Sequence, residues 1–170
     1  MENMETIDPR KILIKIAKIL DGLHIPYLVT GGMAVSVLGR PRFTADIDMI
    51  IEIKETHLPK LQKTLQGLHE AGYIDLEMMK EALRRHGEFN FIDGETGAKV
   101  DFWILKKDAF DSSRIKRRSA HKILGYEVYF SSPEDLILSK LLWAKESGSE
   151  RQLDDVESVL KISGGKMDMA

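Results

Sequence analysis

Apolar positions along this chain recur in two rhythms, every third or fourth residue and every second residue, and the switches between them divide it into elements. Ile12, Ile16, Ile19, Leu20 and Leu23 keep helical spacing after Asp8-Pro9, an N-cap followed by proline, and Gly22 lies near the stop. Ile25 to Val29 reads as a buried strand feeding a tight Gly31-Gly32 turn, which opens a short helix over Met33 to Leu38 closed by Gly39 and Pro41. From Thr44 to Ile53 the period becomes two, with Ile47, Met49, Ile51 and Ile53 filling one face of a strand. Leu61, Leu65 and Leu68 predict an amphipathic helix from Leu58 to Ala71, ending at Gly72, and a second spans about Leu76 to His86.

Glu88 to Ile92 and Ala98 to Leu105 predict an antiparallel hairpin around Asp93-Gly94-Glu95-Thr96-Gly97. A polar helical segment follows from Lys107 to Arg118, then a hairpin from His121 to Phe130 turning near Gly125. Ser132-Pro133-Glu134-Asp135 starts a helix to about Lys145, and a last helix covers Arg151 to Ile162 before Gly164-Gly165. Strands alternating with helices indicate an α/β (α+β) fold, a mixed sheet covered by helices. At 170 residues the chain suits one compact unit. We expect a core over residues 1–130 and a C-terminal helical extension over 131–170 packed on it. Trp103 and Trp143 are expected in the core, and the alternation of a half-buried sheet accounts for Phe89, Phe91 and Phe102.

A net charge of −2 argues against a dedicated nucleic-acid scaffold. The basic strip Arg114-Ile115-Lys116-Arg117-Arg118 reads as a solvated helix face. There is no cysteine, which excludes disulfides, thiolate metal sites and a cysteine nucleophile and fits a reducing cytoplasm. The stretch from Met1 to Arg10 is too acidic and polar for a secretory signal, and no apolar run approaches a membrane span. A cytoplasmic protein without membrane contact is the expectation.

Candidate chemistry lies in the carboxylates. Asp46 and Asp48 leave the same face of an otherwise apolar strand. Two such charges about 6–7 Å apart repel by roughly 2–3 kcal/mol at an effective dielectric near 20. A divalent cation is the usual compensation, and a glycine turn at a helix start is a usual place for phosphate. Asp101, near the start of the apolar strand Val100 to Leu105, is a third acid. If the two strands are neighbours, the three carboxylates meet at one end of the sheet and suit one or two Mg²⁺ ions, with Asp101 also able to take a proton from a hydroxyl. Taken alone, Asp101 reads as a strand-end residue or a partner of Lys99. Neither a P-loop nor a dinucleotide-binding glycine fingerprint is present.

The ordered combination of Gly31-Gly32, Arg42, Thr44 and Asp46-Ile47-Asp48 resembles the nucleotidyltransferases of the DNA polymerase β superfamily, in their compact prokaryotic branches. Those include abortive-infection toxins and small antibiotic adenylyltransferases. The resemblance implies that Gly31 and Gly32 hold a nucleoside triphosphate such as ATP, that Asp46 and Asp48 bind Mg²⁺, and that Asp101 completes the metal site and activates an acceptor. Arg42 and Thr44 match positions commonly filled alike. Ser132 to Leu141 is similar to a downstream helix of that superfamily whose lysine approaches the phosphates; here that is Lys140, which reads equally as a solvated lysine on an amphipathic helix. Arg151-Gln152-Leu153-Asp154-Asp155 resembles the R-D-x-x-D element of the toxin branch, with Gln152 where an Asp is common.

The implied function is transfer of a nucleoside monophosphate from Mg-NTP to a hydroxyl, with release of pyrophosphate. The acceptor stays open between a small molecule, a tRNA end and a protein; no long basic groove favours nucleic acid. The alternative is a catalytically inactive nucleotide-binding or toxin–antitoxin-associated module with a protein partner, or a homo-oligomer.

Overall fold

The structure, a computed structural model, describes residues 7–168. The first six residues of the polar N-terminal stretch therefore lie outside the described residues. Helix α1 (Pro9–Gly22) starts as its sequence predicts, with Asp8 accepting a hydrogen bond from the Arg10 backbone N–H at 3.0 Å. Its Ile12, Leu13, Ile16, Ala17 and Leu20 are buried. Then come strand β1 (Tyr27–Thr30), helix α2 (Gly31–Leu38) and strand β2 (Asp46–Ile51). Helix α3 (Leu58–Gln66) ends at Gly67, earlier than the Leu68 spacing suggests, and α4 (Leu76–Arg85) follows.

The remaining elements are strands β3 (Glu88–Ile92) and β4 (Lys99–Ile104), helix α5 (Ala109–Arg117), strands β5 (Ser119–Ile123) and β6 (Tyr126–Phe130), and helices α6 (Pro133–Ser147) and α7 (Glu150–Ser163). Left-handed Leu124 and Gly125 make the tight β5–β6 turn, with φ of 48° and 84°. One mixed sheet results, in the order β3-β4-β2-β1-β6-β5. β2 runs antiparallel to β1 and parallel to β4, and β1 runs parallel to β6.

The two faces of the central strands differ. Ile47, Met49 and Ile51 of β2 and Val100, Phe102 and Ile104 of β4 enter the main core, with α1, α3 and α4 contributing to the same cluster. Phe102 stacks on Phe89 with ring centroids 5.1 Å apart. On the opposite face Leu28, Ile50 and Ile115 form a smaller cluster beneath α5. The same face of β2 is thus apolar at Ile50 and acidic at Asp48 and Asp46, so α5 seals one end and leaves the other open. α6 and α7 pack on each other and both contact α2.

The basic strip keeps the expected solvated face only at Lys116 and Arg117, which are exposed. Arg114 is buried against Asp111 at 3.2 Å, with its guanidinium 5.0 Å from the Phe110 ring. Arg117 pairs with the fully buried Asp135, and Arg118 lies 4.7 Å over the Tyr129 ring. Arg114 is thus held within α5, while Arg117 and Arg118 join the end of α5 to α6 and β6. Among the described residues no helix is long and apolar enough to cross a membrane.

Candidate active site

Register brings the acids together. In the parallel β2–β4 pair Asp48 faces Asp101, while Thr30 of β1 and Asn90 of β3 extend the same row. Thr30, Asp48, Asp101 and Asn90 therefore form a polar row across four strands. Asp46 lies one pleat further along, opposite Lys99. All three candidate acids emerge on one sheet face, away from the main core, as the alternation requires.

The glycine turn is built around Asp48. Gly31 has a φ of 65°, and a side chain there would overlap the Asp48 carboxylate. The carboxylate thus rests against the N-terminus of α2, whose N-cap residue Thr30 makes no side-chain cap. Gly32 is needed for space: a Cβ would stand 2.9 Å from Thr44 Oγ1 and 3.0 Å from an Arg42 guanidinium nitrogen. Thr44 itself donates its hydroxyl to the Asp46 carbonyl at 3.1 Å.

Burial pushes the Asp48 carboxyl above the ordinary carboxylate range, and the neighbouring Asp101 and Asp46 charges push it further. A hydrogen bond from the Trp103 side chain and the positive charge of Lys140 act in the opposite direction. Asp101 is restrained: Lys99 Nζ lies 3.2 Å from its Oδ1, and that pairing raises the Lys99 pKa. The pairing with Lys99 that sequence offered as an alternative for Asp101 is present together with the Asp48 juxtaposition. Among the described residues no three His, Cys, Asp or Glu side chains already form a cluster able to hold a metal ion. With Asp101 drawn toward Lys99, the acids share a face without converging on a point.

A cleft of about 710 Å³ opens over the acids. Gly31, Gly32, Arg42, Thr44, Asp46, Asp48 and Lys140 all line it, and Asp101 lies beside Asp48 without lining it. Lys140, on α6, is not solvated. Its ammonium is 2.9 Å from Asp155 Oδ2 on α7, and Arg42 reaches the same oxygen at 3.2 Å.

Sequence reasoning left Asp155 out of the site. Two signals were available: its place as the last acid of the Arg151 to Asp155 element, and its spacing on α7, where Asp155, Val159 and Ser163 are buried at four-residue intervals. Both tryptophans also line the cleft, contrary to their expected core placement: Trp103 is 36% exposed and Trp143 53% exposed. Trp103 leaves β4 on the Asp101 face, and α6 turns Trp143 away from its packed side. Phe89, Phe91 and Phe102 are core residues.

The described chain has the nucleotidyltransferase fold, as comparison with solved structures shows. One similar structure is ANT(2'')-Ia in complex with adenylyl-2''-tobramycin, 19% identical, covering 93% of this chain and 91% of that one at a TM-score of 0.62. Another is the lincosamide antibiotic adenylyltransferase LnuA with lincomycin bound, 16% identical, covering 89% and 96% at 0.59. A third is an antigenic nucleotidyltransferase-like protein from Paracoccidioides brasiliensis, 20% identical, covering 91% and 75% at 0.58. No family model matches the sequence, and no curated protein matches it.

Proposed function

We propose that this protein transfers a nucleoside monophosphate from a nucleoside triphosphate to a hydroxyl group of an acceptor. The observation that carries this reading is the Asp48–Asp101 pair in register beside a glycine turn that admits no side chain. An all-carboxylate oxygen donor set suits Mg²⁺, and a bound cation would offset the burial and the repulsion that together lift the Asp48 pKa. Asp46, Asp48 and Asp101 would hold it, once Asp101 gives up part of its contact with Lys99. Bound there, magnesium supplies positive charge that offsets the phosphates and the leaving pyrophosphate.

The chain's own groups do the rest. The backbone at Gly31 and Gly32, with Lys140 and Arg42, receives the triphosphate. Asp101, shifted from Lys99, takes the proton of the acceptor O–H as the oxygen attacks the α-phosphorus. The new P–O bond forms as the bond to the β-phosphate breaks, and pyrophosphate leaves. As a helical extension, α6 and α7 wall the cleft opposite the sheet. The bound ligands of the two antibiotic-related structures favour a small hydroxyl-bearing acceptor over a tRNA end or a protein.

A second reading, an inactive nucleotide- or partner-binding module, draws on Lys99 and Asp155, which already occupy Asp101 and Lys140. The test combines thermal shifts by ATP, CTP, GTP and UTP with Mg²⁺ and labelling of fractionated lysate by each α-³²P NTP. We expect a shift and a labelled product, both lost in Asp46→Ala/Asp48→Ala. No shift in the wild type refutes the reading. A shift without label transfer favours the inactive module.

A further inference from the structure

We infer that Asp155 is a positioning residue that holds Lys140 and Arg42 as a two-cation socket for the triphosphate. The inference rests on the nucleotidyl-transfer reading and names a residue that reading does not use.

One carboxylate oxygen ties three separate parts of the chain together. Asp155 comes from α7, Lys140 from α6 and Arg42 from the loop before β2, and both cations meet Asp155 Oδ2. The Asp155 side chain is 5% exposed and that of Lys140 12% exposed, so neither charge is held at the surface. A carboxylate buried so deeply is retained only with partners that neutralise it, and here it has two cations.

Asp155 holds the cations without using them up. An ammonium has three N–H donors and a guanidinium five, and each spends one on Asp155. The Arg42 Nε–H is buried with no partner, a donor left over beside the cleft. The guanidinium also lies over Gly32, within 3.0 Å of where a side chain would sit. The socket therefore borders the glycine turn, and Lys140 lines the same cleft as Asp48. Two cations and one carboxylate carry a net single positive charge into a cleft otherwise dominated by acids, which suits a polyphosphate. Without Asp155 the two cations repel and lose their common anchor, and a flexible lysine stem is free to turn away from the turn.

The test measures binding of α,β-methylene-ATP, which cannot transfer its nucleotide, with Mg²⁺ by calorimetry at fixed salt. Asp155→Asn is expected to weaken binding at least tenfold. In an Arg42→Gln/Lys140→Gln background, where no cation is left to hold, the same change is expected to alter affinity less than threefold. That loss of effect separates positioning from a general structural role. If Asp155→Asn alone does not fold, Asp155→Glu replaces it; by keeping the charge but shifting the oxygen, it should weaken binding threefold or more. Unchanged or tighter binding by the folded single variant overturns the inference, as does an equal loss in both backgrounds. Failure of the wild type to bind removes the nucleotidyl-transfer reading itself, whereas tight wild-type binding with an indifferent Asp155→Asn removes only the role of Asp155.

Discussion

Asp48→Asn should make the empty protein more stable. Strand neighbours lie about 4.8 Å apart, so register-paired carboxylates about 5 Å apart repel by about 3 kcal/mol at an effective dielectric near 20. Asp46, two residues along the strand at about 6.8 Å, adds about 2 kcal/mol by the same estimate. Lys140, the Trp103 hydrogen bond and the α2 N-terminus offset much of this, as does Lys99, which neutralises Asp101. A net gain of about 1–2 kcal/mol remains, or a Tm rise of about 3–6 °C for a chain of this size. Asparagine keeps the shape and an acceptor for Trp103.

The sign of the pH dependence follows from the raised Asp48 pKa. Its charged form is the costly one when folded, so wild-type stability falls as pH rises through the window just above 3.8. The advantage of Asp48→Asn is therefore larger at neutral pH and shrinks as acid protonates Asp48 in the wild type. Differential scanning calorimetry at neutral and acid pH, with and without Mg²⁺, measures both trends. Added Mg²⁺ should raise the wild-type Tm and leave the variant unmoved. A variant no more stable than wild type at pH 7 would refute the electrostatic argument.

Gly31→Ala should destabilise by about 1–3 kcal/mol in urea unfolding, because a left-handed backbone and an overlap with Asp48 act together. Phe102→Ala should cost about 3–5 kcal/mol, since the ring is fully buried and stacked on Phe89. Both tryptophans line the cleft, so Mg-ATP should change the intrinsic fluorescence, and comparison of Trp103→Phe with Trp143→Phe should assign most of the change to Trp103, the one bonded to Asp48.

The fold was legible wherever period and punctuation agreed. The alternation of Ile47, Met49 and Ile51 placed Asp46 and Asp48 on the outer face, and the structure keeps that assignment. The β2–β4 register, by contrast, depends on a parallel pairing between distant segments, which alternation within each strand cannot specify. Arg114 was misplaced because a charge pattern does not disclose which turn of α5 packs inward, and the partner of Arg117, Asp135, lies on another helix. Trp143 was misplaced because residue type cannot tell a packed helix face from a cleft wall. Asp155 was visible as a carboxylate but not as a partner, since Arg42 and Lys140 meet it only through tertiary structure.

Parallel pairing of β2 with β4 also has a bearing on how the chain assembles. Everything from Glu52 to Ala98 must leave the ribosome and cross over before Asp101 can reach Asp48. Such nonlocal pairing is slow to form, so we expect the repelling carboxylates to meet late, after the local helices and hairpins. A ligand bridging them would then leave the refolding arm of a chevron nearly still and lower the unfolding arm, lengthening the native lifetime rather than hastening its birth.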